Sequence, residues 1–86
     1  LIWKIKWEDF AVKQLKKLDK QIARRITSYL KEVILVDPRQ KGKPLTGDKA
    51  RFWRYRVGEY RIICRIVDDE FVVLIVAVGH RKEIYN

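Results

Sequence analysis

Arginines crowd the part of this chain where chemistry is conceivable. Phe52-Trp53-Arg54-Tyr55-Arg56-Val57 is followed almost at once by Tyr60-Arg61-Ile62-Ile63-Cys64-Arg65, and Gly79-His80-Arg81-Lys82-Glu83-Ile84-Tyr85 comes late in the chain. A guanidinium keeps its charge at any physiological pH and meets phosphate oxygens through a planar fork of donors. Several of them fixed on one rigid surface would bind a phosphate and stabilise charge growing on it. The 86 residues include 20 Lys or Arg and 11 Asp or Glu, a net charge of +9 that is unevenly spread. From Arg39 to Arg65, nine basic residues (Arg39, Lys41, Lys43, Lys49, Arg51, Arg54, Arg56, Arg61, Arg65) meet only Asp48 and Glu59, so this stretch holds +7 of the +9. Such a field suits a polyanion, RNA or DNA, and an acidic protein partner is the competing reading.

Other chemistries are poorly provided for. Cys64 is the single cysteine, so no internal disulfide forms, and its apolar neighbours predict a buried, inert thiol. One histidine and one cysteine cannot make a zinc site, and no cofactor is expected. The length predicts one domain spanning 1–86, with a small core that hides about 60% of the unfolded surface. The apolar run Phe71 to Val78 is too short to span a bilayer and no signal peptide precedes the first strand, so a cytoplasmic protein with no membrane partner is expected.

Something must position the arginines. Trp3, Ile5 and Trp7 alternate with Lys4 and Lys6, the period of a half-buried strand. From Asp9 the period becomes helical through Ala11, Leu15 and Leu18. A second helix carries Ile22, Ile26, Tyr29, Leu30 and Val33 on one stripe, with Asp19 as N-cap and Pro38 ending it near Val36. Residues 37–50 hold both prolines and two glycines and read as a basic loop. Phe52–Val57 and Tyr60–Val67 are strands joined by Gly58-Glu59, and Phe71–Val78 is an apolar strand suited to the sheet centre, after an acidic turn at Asp68-Asp69-Glu70. The order β-α-α-β-β-β predicts an α+β domain, two N-terminal helices packed on one face of a small, mostly antiparallel four-stranded sheet.

A two-residue turn fixes which residues face each other. Val57 then opposes Tyr60, Arg56 opposes Arg61, Tyr55 opposes Ile62, Arg54 opposes Ile63 and Trp53 opposes Cys64; opposed side chains share a face. Trp53, Tyr55, Val57, Tyr60, Ile62, Cys64 and Ile66 line a surface fit to receive the helices. Arg54, Arg56, Arg61 and Arg65 line the open one, with Phe52 and Ile63. Opposed arginines repel by a few tenths of a kcal/mol, roughly up to 1, so an arrangement serving solubility alone could easily avoid the pair.

The segment LTGDKARFWRYRVGEYRIICRIVDDEFVVLIVAVGHRKEIY resembles the second half of RelE-type toxins of toxin–antitoxin pairs, most specifically in VGEYRI and VGHRKEIY, and the element order matches that family over nearly the whole chain. The resemblance implies a small metal-independent endoribonuclease that cuts mRNA in the ribosomal A site, inhibits translation, and is held inactive by a RelB-like, acidic, partly disordered antitoxin. It places the family's two basic strand positions on Arg54 and Arg56, the arginine after the turn on Arg61, the arginine after the last strand on Arg81 and the terminal tyrosine on Tyr85. Lys43, Lys49, Arg51 and Arg65 are expected to contact RNA alongside Arg54 and Arg56.

Metal-free cleavage by a 2′-OH needs a proton acceptor, a proton or charge for the leaving 5′ oxygen, and cations for the phosphorus oxygens. Arg61 and Arg81 suit the last role. Well-known RelE toxins carry lysines at the positions of Arg54 and Arg56; arginine is a poor proton shuttle, so these two are assigned to positioning and charge stabilisation. Proton transfer then falls on Tyr85 or on His80, whose competing reading is a strand-end residue held by a backbone hydrogen bond. ParE-type toxins share the fold and act on DNA gyrase without nuclease activity, which is the alternative function; a catalytically silent RNA- or ribosome-binding domain is a third.

Overall fold

Alternating lysines and large apolar residues at the start, then an apolar stripe at helical spacing, give the computed structural model, which describes residues 2–84, its first layer. The elements are β1 (Lys4–Trp7), α1 (Asp9–Lys16), α2 (Lys20–Ile34), β2 (Lys43–Pro44), β3 (Trp53–Val57), β4 (Tyr60–Val67) and β5 (Val72–His80). Asp19 caps α2 as expected, its carboxylate accepting from the Gln21 N–H at 2.9 Å. The class is α+β, and both helices pack on one face of the sheet.

The sheet has five strands rather than four, in the order β1-β5-β4-β3-β2. The added strand is two residues inside the expected loop, pairing Lys43 with Arg54 and Pro44 with Trp53. It is too short to show a period, and its proline is tolerated because β2 is an edge strand. β1 runs parallel to β5, from which both helices and β2 to β4 separate it in the chain, and all other pairs are antiparallel. β5 is central as predicted, but it begins after Phe71, which takes a left-handed conformation (φ 54°) behind the acidic turn and sets its ring edge-on to Trp3 at 5.3 Å. At its other end β5 runs on to His80.

The hairpin register is the expected one at every pair from Trp53↔Cys64 to Val57↔Tyr60, around Gly58 at φ 58°. Between β4 and β5 the register shifts: Ile63 pairs with Ala77 but Cys64 with Ile75, leaving Val76 as a bulge. One extra residue moves every later side chain of β5 to the other face. Val78 and His80 thereby join the helix side, and Gly79 falls beside Arg61 on the open side.

Ile26, Leu30 and Ile34 of α2 and Ala11 of α1 are fully buried against Tyr55, Ile62, Cys64, Val73, Ile75 and Val78, at roughly 1.5–3 kcal/mol per large side chain. β1 stops opposite Ile75, and the Val78 N–H donates instead to Gln14 Oε1 at 2.7 Å. After α2 the chain is tied under the sheet by Tyr55, whose hydroxyl donates to the Pro38 carbonyl, and by Trp53, whose Nε1–H donates to the Lys41 carbonyl at 2.8 Å. No helix among the described residues is long and apolar enough to cross a membrane.

Candidate active site

Strand alternation puts Arg54 and Arg56 of β3 and Arg61 of β4 on the face away from the helices, with Arg56 and Arg61 directly opposed. Arg61 is half-buried, and the only hydrogen bond of its guanidinium among the described residues is a long one, 3.4 Å, from Nη1 to the Tyr60 carbonyl. Partial burial, then the fields of Arg56, Arg54 and Arg81, hold its guanidinium below the usual arginine pKa, with Glu59 acting weakly the other way. It remains protonated, and the fields of Arg56, Arg54 and Arg81 that add to the burial are those of positive charge gathered around it.

Arg81 reaches this group through the turn after β5. Its N–H donates to the Glu59 carbonyl at 2.8 Å and its Nε pairs with Glu59 Oε1 at 2.7 Å, which ties the segment after β5 to the hairpin tip. The Glu83 and Ile84 N–H groups both donate to the His80 carbonyl, closing a tight turn, and Ile84 lies 3.7 Å from the point where a side chain on Gly79 would begin. Gly79 is opposite Arg61, and its bare backbone lets the Ile84 side chain settle over that point of the open face.

Four residues expected at the site, Arg54, Arg56, Arg61 and Arg81, therefore stand together. His80 does not join them: it pairs with Tyr60, rests edge-on against the Tyr60 ring at 5.5 Å, and accepts the Lys82 N–H on Nδ1 at 3.1 Å. Arg65 is on the arginine face but further along β4, opposite Leu74. Lys43 lies on β2 beside Arg54, Lys49 in the turn Gly47–Lys49, and Arg51 against the Phe52 ring at 5.1 Å. Tyr85 lies outside the described residues. Cys64 is buried, and burial pushes its thiol up to about 12.

Sequence reasoning gave Glu59 no role beyond its turn, because its partner Arg81 is distant in the chain. It also missed Tyr29 as a neighbour of the arginine strand. Tyr29 belongs to the apolar stripe of α2 and packs edge-on against Tyr55 at 6.3 Å, and it lines the same cleft at the sheet edge as Arg54 and Arg56.

Comparison with known proteins bears on the family and the fold. Residues 5–85 match the family model described as the ParE toxin of the parDE type II toxin–antitoxin system. The chain is 30% identical over 82 residues to Toxin RelG of Mycobacterium tuberculosis, covering 95% of this chain and 94% of that one. Among solved structures, the RelBE2 toxin–antitoxin complex of M. tuberculosis contains a chain that matches with a TM-score of 0.87 and 28% identity, over 94% of this chain and 100% of that chain. The isolated RelE toxin of E. coli matches in fold with a TM-score of 0.77 at 22% identity, over 91% and 83% respectively. The chain thus belongs to the RelE/ParE superfamily of type II toxin–antitoxin toxins.

Proposed function

We propose that this toxin is a metal-independent endoribonuclease that cuts mRNA in the ribosomal A site and so stops translation. The observation that carries this reading is the convergence of Arg54, Arg56 and Arg81 around Arg61, whose pKa is lowered first by partial burial and then by the fields of these three. A dianionic phosphorane, the species formed as a 2′-OH attacks its own 3′ phosphate, is the charge such a cluster stabilises best. The 2′-oxygen forms a bond to phosphorus, the bond to the 5′ oxygen breaks, and the products are a 2′,3′-cyclic phosphate and a 5′-OH end. Arg61 and Arg81 neutralise the phosphorus oxygens, while Arg54 and Arg56 hold the substrate. Proton transfer is assigned to Tyr85, since His80 lies on the other side of the sheet from Arg61.

The partner in the resting state is an acidic, RelB-like antitoxin, a reading supported by the toxin–antitoxin complex found among the related structures and by the net charge of +9. The ParE description of the matching family model favours one other reading, inhibition of DNA gyrase without nuclease activity. The two separate in vitro. Ribosomes programmed with a defined mRNA and mixed with the toxin should yield fragments with new 5′-OH ends inside the A-site codon, and a gyrase supercoiling assay should be unaffected; intact mRNA with blocked supercoiling would reverse the assignment.

A further inference from the structure

At the outer edge of β3, where the segment before β2 and helix α2 meet it, a cleft of about 160 Å³ is lined by Tyr29, Lys41, Gly42, Lys43, Arg54 and Arg56. No acidic side chain lines it. None of its four cations has a carboxylate partner among the described residues. Arg54 Nε is shielded from solvent and has no hydrogen-bond partner among the described residues, so this one N–H has given up hydration with nothing returned from the protein.

The walls are fixed. Gly42 takes φ 82°, and a Cβ there would fall 2.4 Å from the Arg54 carbonyl oxygen and 2.6 Å from Trp53 Nε1, so the backbone is pressed against β3 as only glycine allows. The bond from Trp53 Nε1 to the Lys41 carbonyl and the Lys43↔Arg54 pairing hold the two lysines on either side of Gly42. Tyr29 is set by its ring contact with Tyr55, and burial raises its pKa, so its hydroxyl stays a proton donor. A rigid, wholly cationic cleft with one neutral donor matches a tetrahedral anion whose oxygens are shared among several partners.

We propose that this cleft binds a backbone phosphodiester of single-stranded RNA adjacent to the scissile one, a role that rests on the ribonuclease reading. The cleft shares Arg54 and Arg56 with the array around Arg61. β4 and β2 lie about 10 Å apart, two inter-strand steps, so an RNA strand crossing the sheet with one phosphate at Arg61 carries its neighbour toward Lys41 and Lys43. A phosphodiester carries the same single charge as a carboxylate of an acidic protein, but its tetrahedral oxygens accept from donors in more directions than a planar carboxylate does, which suits donors set on two strands and a helix.

Fluorescence anisotropy with a short single-stranded RNA tests this. The RNA carries a 2′-deoxy sugar at the scissile nucleotide, so that it is not cut, and each internucleotide phosphate is replaced in turn by an uncharged methylphosphonate. Neutralising the phosphate next to the scissile one should weaken binding roughly 5- to 10-fold in the wild type and leave the Lys41→Gln/Lys43→Gln double variant unaffected. Both lysines are exposed, so the variant keeps its fold. Additive losses would overturn the proposal, as would inorganic phosphate, matched for ionic strength, competing as well as the RNA phosphate binds. A poly-glutamate peptide that binds the double variant more weakly while RNA losses stay additive would assign the cleft to an acidic protein instead. The parent reading is checked on a separate pair: neutralising the scissile phosphate should couple to Arg61→Gln. No coupling there removes the ribonuclease reading and the cleft with it, while coupling there with additive lysine losses removes the cleft alone.

Discussion

Arg61 sits half-buried among three other guanidinium groups, a placement that is unfavourable until an anion arrives. Arg61→Gln should therefore lower cleavage about 10²- to 10³-fold, the usual cost of losing one charge-stabilising donor, while leaving Tm unchanged or slightly raised because it relieves repulsion. Arg61→Lys should not restore the rate, since a point charge cannot reproduce the fork. Glu59→Gln tests the tie on Arg81: the exposed pair contributes little to folding, so thermal melting should hardly move, but a loosened Arg81 should lower the single-turnover rate on programmed ribosomes roughly 3- to 10-fold. At this scale the sequence was legible wherever alternation governs. Arg54, Arg56 and Arg61 could be placed from the turn alone, whereas His80 could not. Uninterrupted alternation along β5 would carry His80 to the arginine face, and the bulge at Val76, which no residue type announces, turns it away. His80→Gln should accordingly leave the pH dependence of cleavage unchanged, and a lost or shifted limb in that profile would return His80 to the chemistry.

Each strand and helix does a positional task that its own residues explain. The 41–43 segment is held against β3 by Gly42, and Gly42→Ala should cost about 2–4 kcal/mol from its left-handed backbone and the clash with Arg54, lowering Tm by about 10 °C or more in calorimetry. β4 buries Cys64 deeply enough to keep its thiol neutral, so a disulfide reagent at pH 8 should fail to label the native protein and label it fully once unfolded. Strong periodicity made β3, β4 and both helices readable, and the Gly58-Glu59 turn gave their register. β2 was hidden because two residues have no period, and the start of β5 was misplaced by one because Phe71 looks like a strand residue yet serves as the left-handed turn against Trp3.

For the whole molecule, a net charge of +9 with +7 of it between Arg39 and Arg65 makes substrate engagement an electrostatic event. Binding to single-stranded RNA should fall linearly with salt on a log–log plot, with a slope near −0.7 per phosphate contacted, and each lost contact should flatten it by about that amount. The overall α+β architecture followed from the order of periodic segments, and the meeting of Arg81 with Arg61 followed only once the Glu59 pairing joined the late segment to the hairpin tip. The central claim is that this arginine cluster cuts translated mRNA. Mapping mRNA 5′ ends across the transcriptome after induction of the wild type and of Arg61→Ala tests it most directly: new ends inside translated codons, present with the wild type and absent with the variant, are predicted, whereas intact transcripts accompanied by DNA breaks with either protein would contradict it.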